Sequence, residues 1–208
     1  MRTAREIYKE YKIMPSLQLH QLRVAAVGKL VCEHFTQTVN KENVVLACLF
    51  HDIGNIVKFK LRDFPELSEP QGVTYWEGVQ KEIIQTYGPE QHTASAAIAG
   101  EIGLSENIVS MIANAGFMAI PEILRGESNE LKVLQYADLR VSPTGIVSVE
   151  ERLSDFMRRY KKKGDEVVER AAHDLERTIF EHVDLRPEDI TDAAVAPIIE
   201  ELWEYPVA

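Results

Sequence analysis

Apolar residues recur along this chain mainly at intervals of three and four, the spacing that lines one face of an α-helix, and two-residue alternation is scarce. The pattern predicts helices over 16–35 and 41–52. The first follows Pro15 with Ser16 as its N-cap, and the second is stopped by Gly54 in a left-handed cap. Residues 55–72 read as a loop or broken helix, punctuated by Pro65, Pro70 and Gly72. Further helices are predicted near 75–87, 93–102, 106–115 and 129–141. A Ser-Pro-Thr-Gly turn at 142–145 separates them from helices over 149–162 and 165–183 and a shorter apolar stretch over 193–203. The fold class is therefore all-α: a helical core over 1–143, with a C-terminal helical extension over 144–208 packed on it.

With 208 residues, 45% of them hydrophobic and 27% charged, the chain can bury a sizeable core without a disulfide or metal staple, and long disorder is excluded. Its longest apolar run, Val44 to Phe50, is too short to span a bilayer, and the first residues carry no apolar leader segment. A cytoplasmic protein with no membrane partner is expected. Cys32 and Cys48 both lie in apolar stretches, as reduced core thiols do. The formal charge of -10 disfavours general nucleic-acid binding but leaves room for a small anion in a local basic pocket. A homo-oligomer is compatible with the sequence.

Chemistry enters where polar residues interrupt the apolar stripes. His20 shares a helical face with Val24, Val27 and Val31, at i, i+4, i+7 and i+11. The second helix is apolar nearly all round and ends in His51-Asp52. A carboxylate at the end of so buried an element needs a cationic partner, and a metal ion is a natural one; a solvated helix end is the competing reading. A second His-Asp pair, His173-Asp174, serves as an internal control. Its helix has the apolar line Val168, Ala172, Leu175 and Ile179, which places His173 on the opposite, solvated face. Asp138 falls on the stripe of Leu131, Leu134 and Val141. Without a metal, burial there is expected to raise its pKa. Two imidazoles and two carboxylates form a mixed nitrogen and oxygen set suited to a six-coordinate divalent ion with positions left open.

The ordered residues His20, His51-Asp52 within Leu-Phe-His-Asp-Ile-Gly, and Asp138 resemble the H…HD…D signature of the HD-domain metal-dependent phosphohydrolase superfamily, over about 17–141. The resemblance implies a helical bundle in which these four residues hold one divalent metal (manganese, cobalt, iron, nickel, zinc or magnesium). It also implies nucleotides or other phosphate esters as substrates. A two-metal branch of the superfamily carries further histidines. His92 resembles the first of these, but Asn114 stands where the second would fall, which favours a single metal.

The function expected is hydrolysis of a nucleotide or other small phosphate ester through a metal-activated water. Asp52 has a second role, orienting or deprotonating that water, and Arg23 and Lys58 neutralise charge on the phosphoryl oxygens. Lys60, Arg62 and Arg140 are further candidate clamps, whereas the basic run from Arg158 to Lys163 reads as a solvated helix end. The alternative is a non-catalytic sensor that binds metal and nucleotide in the same pocket. An oxygen-activating iron enzyme needs a second metal and conflicts with Asn114. No G-x-x-x-x-G-K-[ST] loop and no G-x-S-x-G elbow is present.

Overall fold

The computed structural model describes residues 1–160 and 165–207. Eleven α-helices occur among them: α1 Ala4–Glu10, α2 Pro15–Glu33, α3 Lys41–Phe50, α4 Val73–Tyr87, α5 Gln91–Ile102, α6 Glu106–Asn114, α7 Ile120–Arg125, α8 Asn129–Leu139, α9 Val149–Tyr160, α10 Glu166–Phe180 and α11 Asp192–Leu202. The all-α class expected from the spacing is what forms. Four two-residue strands complete it: β1 Arg2–Thr3, β2 Val141–Ser142, β3 Gly145–Ile146 and β4 Pro206–Val207.

The seven apolar residues Val44 to Phe50 make α3 the central helix, each at most 7% exposed. A helix without a polar face must be surrounded, and α2, α6 and α8 pack against it. Gly28 lets α2 come close: a Cβ there would lie 2.9 Å from Cys48 Sγ. Tyr8 of α1 closes the far side, its hydroxyl donating to the Leu49 carbonyl at 2.7 Å. Burial pushes the Cys32 thiol up to about 12 and raises Cys48 well above its ordinary value, so both free thiols are unreactive packing groups.

The segment after residue 143 joins the same apolar cluster, which runs from Ala4 to Val207. Helix α10 packs on α7 and α8, and α11 lies on α2. β4 pairs antiparallel with β1, Val207 opposite Arg2, which ties the two ends together. β2 and β3 form a hairpin around the expected turn at 142–145. No single helix among the described residues is long and apolar enough to cross a membrane.

Several expectations change. Pro15 is the first residue of α2 and Met14 its N-cap; the Ser16 hydroxyl instead donates to the Leu67 carbonyl at 2.9 Å. α3 stops at Phe50, so His51-Asp52 sits in a turn rather than on the helix. Gly54 is not a left-handed cap: its φ is -90° and it opens a 3-10 turn, Asn55–Lys58. The 55–72 segment holds a second such turn, Pro65–Ser68. α1 has no apolar repeat long enough to register, but it carries a capping box between Thr3 and Glu6. The helix expected over 149–162 is described as far as Tyr160.

Candidate metal centre

Four side chains far apart in sequence meet where α3 ends. His20 comes from α2, His51 and Asp52 from the turn after α3, and Asp138 from the last turn of α8. His20 Nε2 lies 3.2 Å from Asp138 Oδ1 and 3.6 Å from Asp52 Oδ2. His51 Nε2 lies 3.6 Å from Asp138 Oδ1 and 3.8 Å from Asp52 Oδ2. Ligand atoms of His20, His51 and Asp52 all fall within 4.8 Å of one another and could hold a metal ion. Donors at adjacent corners of an octahedron with bonds of about 2.1 Å stand about 3 Å apart, close to the spacings here.

The fit is clearest at His51. Its Nδ1–H donates to the Cys48 carbonyl at 2.9 Å, which turns Nε2 toward the carboxylates. Nε2 is shielded from water with no hydrogen-bond partner among the described residues. A buried nitrogen held in one orientation by a backbone carbonyl is how a ligating histidine is prepared. Asn55 does the same for Asp52, donating from Nδ2 to Oδ2 at 2.5 Å. The carboxylates are the more exposed members, Asp138 at 25% and Asp52 at 22% against 6% for His51, so the cluster opens to solvent on the carboxylate side.

Gly54 sets the position of this turn. Its N–H donates to Ser95 Oγ at 3.0 Å, and a Cβ on it would meet the Ser95 nitrogen at 2.6 Å and Ala94 Cβ at 2.8 Å. Both obstacles belong to the first turns of α5 and neither is a flexible side-chain end. Gly54→Ala is expected to destabilise the fold by about 1–3 kcal/mol and to weaken metal binding by shifting His51 and Asp52. Urea unfolding with a parallel metal titration measures both; a variant unchanged in each would remove this close approach from the account.

The electrostatics of the metal-free cluster reverse one expectation. Burial alone would raise Asp138, but the imidazoles of His20 and His51 beside it and the Arg152 charge hold its carboxyl well below the usual range. Burial alone would lower His51, yet the charges of Asp52 and Asp138 lift it to about 9. A helical wheel reports that Asp138 lies on an apolar face; it does not report that two imidazoles and a guanidinium act on it from other elements.

The remaining candidates separate. Arg23 is half-buried and points Nη1 at the Pro143 carbonyl, 3.4 Å away. Lys58, ending the 3-10 turn, and Lys60 are exposed. Among the described residues neither Arg23 nor Lys58 forms an ion pair with the quartet. Arg62 is paired with Glu77 at 2.6 Å. Arg140 is not a clamp: it is 4% exposed and its guanidinium is spent on the Val147, Pro187 and Ile190 carbonyls and the Tyr136 hydroxyl. That set ties α8 to the segment between α10 and α11. His92 packs its ring against Gly116 and has Gln91 Nε2 2.8 Å from its Nε2. Asn114 is exposed, its amide donating to the Ser110 carbonyl at 2.8 Å. The control pair behaves as expected: His173 is 47% exposed beside Glu150, and Asp174 pairs with Arg177 at 2.9 Å. Of the basic run, Arg158 pairs with Asp155 at 2.8 Å; the rest, 159–163, lies outside the described side chains.

Asn55 and Arg152 escape the sequence reading. Arg152 does leave a signal there: Val149, Arg152, Leu153 and Phe156 stand at i, i+3, i+4 and i+7, so a cation interrupts an apolar stripe. Among known proteins, the family model for the HD domain matches residues 18–140, a span that contains the whole quartet. No curated protein and no solved structure matches the chain.

Proposed function

Because the chain belongs to the HD-domain family, whose superfamily comprises metal-dependent phosphohydrolases, we propose that it hydrolyses a small phosphate ester, with nucleotides the leading class, at the quartet His20, His51, Asp52 and Asp138. The observation that carries this reading is the shielded, unpartnered His51 Nε2 facing two carboxylates that open to solvent. When bound, a divalent ion supplies Lewis acidity toward a phosphoryl oxygen and makes a nucleophile available near neutral pH. The protein's own contribution is positional. Cys48 fixes the His51 ring, and Asn55 occupies Asp52 Oδ2. Asp52 Oδ1 is thereby left to accept the proton of the attacking water. Arg23 retains N–H groups beyond the one near Pro143, and we assign it with Lys58 to the charge that builds on the phosphoryl oxygens. The buried free thiols Cys32 and Cys48 favour a reducing, cytoplasmic setting.

The outward-facing Asn114 supports a single metal. The protein is expected to bind about one divalent ion per chain, of the six candidates manganese, cobalt, iron, nickel, zinc and magnesium. It should release phosphate from members of a nucleotide and sugar-phosphate panel only when that ion is present. Metal analysis followed by a phosphate-release assay, with and without chelator, makes the test. Two stoichiometric metals would overturn the single-metal assignment. Tight nucleotide binding without any phosphate release would replace the enzyme with a sensor.

A further inference from the structure

We propose that Arg152 binds a phosphoryl oxygen of the ligand, so that α9, which lies beyond the matched HD-domain span, completes the site. The proposal deepens the phosphohydrolase reading and rests on it for the identity of the anion. Arg152 stands between Val149 and Leu153, which are 1% and 2% exposed, and its own side chain is only 15% exposed. A guanidinium so placed is costly unless its N–H groups are used. Nε and Nη1 are both shielded from water without a hydrogen-bond partner among the described residues. The nearest carboxylate oxygen paired with it among the described residues is Asp155 Oδ2, 3.7 Å from Nη1 and too far for a hydrogen bond.

Helix α9 packs against α8, the helix that carries Asp138, and against β2. The other arginine of this region, Arg140, shows what a structural role looks like here, with three carbonyls and a hydroxyl satisfying it. Arg152 has no such set.

The contacts beyond Arg152 lead from α9 back to α8. Phe156, one turn beyond Arg152, stacks on Phe117 with ring centroids 3.7 Å apart and planes at 14°. Gly116, next to Phe117, donates its N–H to Gln135 Oε1 at 2.7 Å. Gln135 is one turn before Asp138 on α8, and its Nε2 is buried without a partner. Unused N–H donors of Arg152 and Gln135 therefore lie on two helices, α9 and α8, that pack together. Donors without acceptors select an anion rich in acceptor oxygens, and phosphate offers them with the charge that a guanidinium binds most strongly.

Inorganic phosphate is the probe. Its affinity for the manganese-loaded full chain is measured by calorimetry for the parent, Arg152→Met, Arg152→Lys and the control Arg158→Ala. Methionine keeps an apolar stem in the stripe, which guards against simple misfolding. Arg152→Met is expected to weaken phosphate binding by roughly tenfold to a hundredfold, the loss of charge-assisted hydrogen bonds. Lysine should recover part of the loss, and Arg158→Ala should leave affinity at the parent value. Manganese content should be unchanged in all three variants. Unchanged phosphate affinity in Arg152→Met would overturn the proposal, as would a loss in thermal midpoint without phosphate that accounts for the whole effect. No phosphate binding by the loaded parent would overturn it too. A loaded parent that hydrolyses nothing, yet binds phosphate through Arg152, would sink the phosphohydrolase reading and leave Arg152 standing.

Discussion

Asp52→Ala is expected to strip the metal from the protein and lower phosphate release on the order of a thousandfold or more, whereas Asp174→Ala leaves both unchanged. The two residues share a His-Asp dipeptide, and their surroundings differ in every respect that matters. Asp52 is 22% exposed, lies 3.6 Å from His20 Nε2 and is held by Asn55. Asp174 forms an i,i+3 pair with the 69% exposed Arg177, a surface arrangement worth less than about 1 kcal/mol. Removing Asp52 takes away an oxygen ligand and the base in one change. Elemental analysis of the purified variants decides the first half and an assay on the parent's best substrate the second. Equal metal content in Asp52→Ala and the parent would end the assignment of Asp52 as a ligand.

Asp138→Asn carries the second large effect, and it appears even with no metal bound. In the metal-free protein Asp138 faces both imidazoles, 3.2 Å from His20 Nε2 and 3.6 Å from His51 Nε2. Its carboxyl is held well below the usual range by those partners, so its contribution is present above an unfolded pKa near 3.9 and is lost as the pH falls through the lower folded value. His51 is raised to about 9, so its contribution is complete below its unfolded value near 6.5 and is lost as the pH rises through about 9. The pair therefore stabilises the metal-free fold most between these two unfolded values. There Asp138→Asn should cost about 1–3 kcal/mol, and the deficit should shrink as His51 loses its proton above pH 9. Urea unfolding in chelator, near pH 5.5 and again near pH 10, measures it. Equal stability at the lower pH would mean that desolvation governs Asp138 after all. With metal restored, the variant should also bind it more weakly, because an amide oxygen replaces a carboxylate.

The quartet is legible in the sequence because ligand residues violate helical patterning, and that violation survives without a structure. His20 sits among Val24, Val27 and Val31, and Asp138 among Leu134 and Val141, and the structure buries all five of these valines and leucines completely. The sign of the Asp138 shift is not legible, since the groups that set it arrive from α2, the turn after α3, and α9. Gly54 looks like a helix cap because glycine after a helix usually is one. Its real constraint is the approach of α5, a tertiary fact that local spacing does not carry. Arg152 is the instructive case. It shows the same interrupted stripe as His20, but it falls in a segment read as an extension of the core. The packing of α9 against α8 and the β2 strand sets its helix beside the one that carries Asp138. Short elements fail for another reason: α1 and α7 span only 7 and 6 residues, fewer than two turns, so no periodicity can accumulate.

The central claim is that four residues from α2, the turn after α3, and α8 hold one divalent ion. Diffraction from crystals grown with manganese, recorded near its absorption edge, addresses it most directly. The account predicts one strong anomalous peak per chain within bonding distance of His20 Nε2, His51 Nε2 and the carboxylate oxygens of Asp52 and Asp138. A peak elsewhere, or none at this cluster in crystals of the manganese-loaded protein, would contradict it.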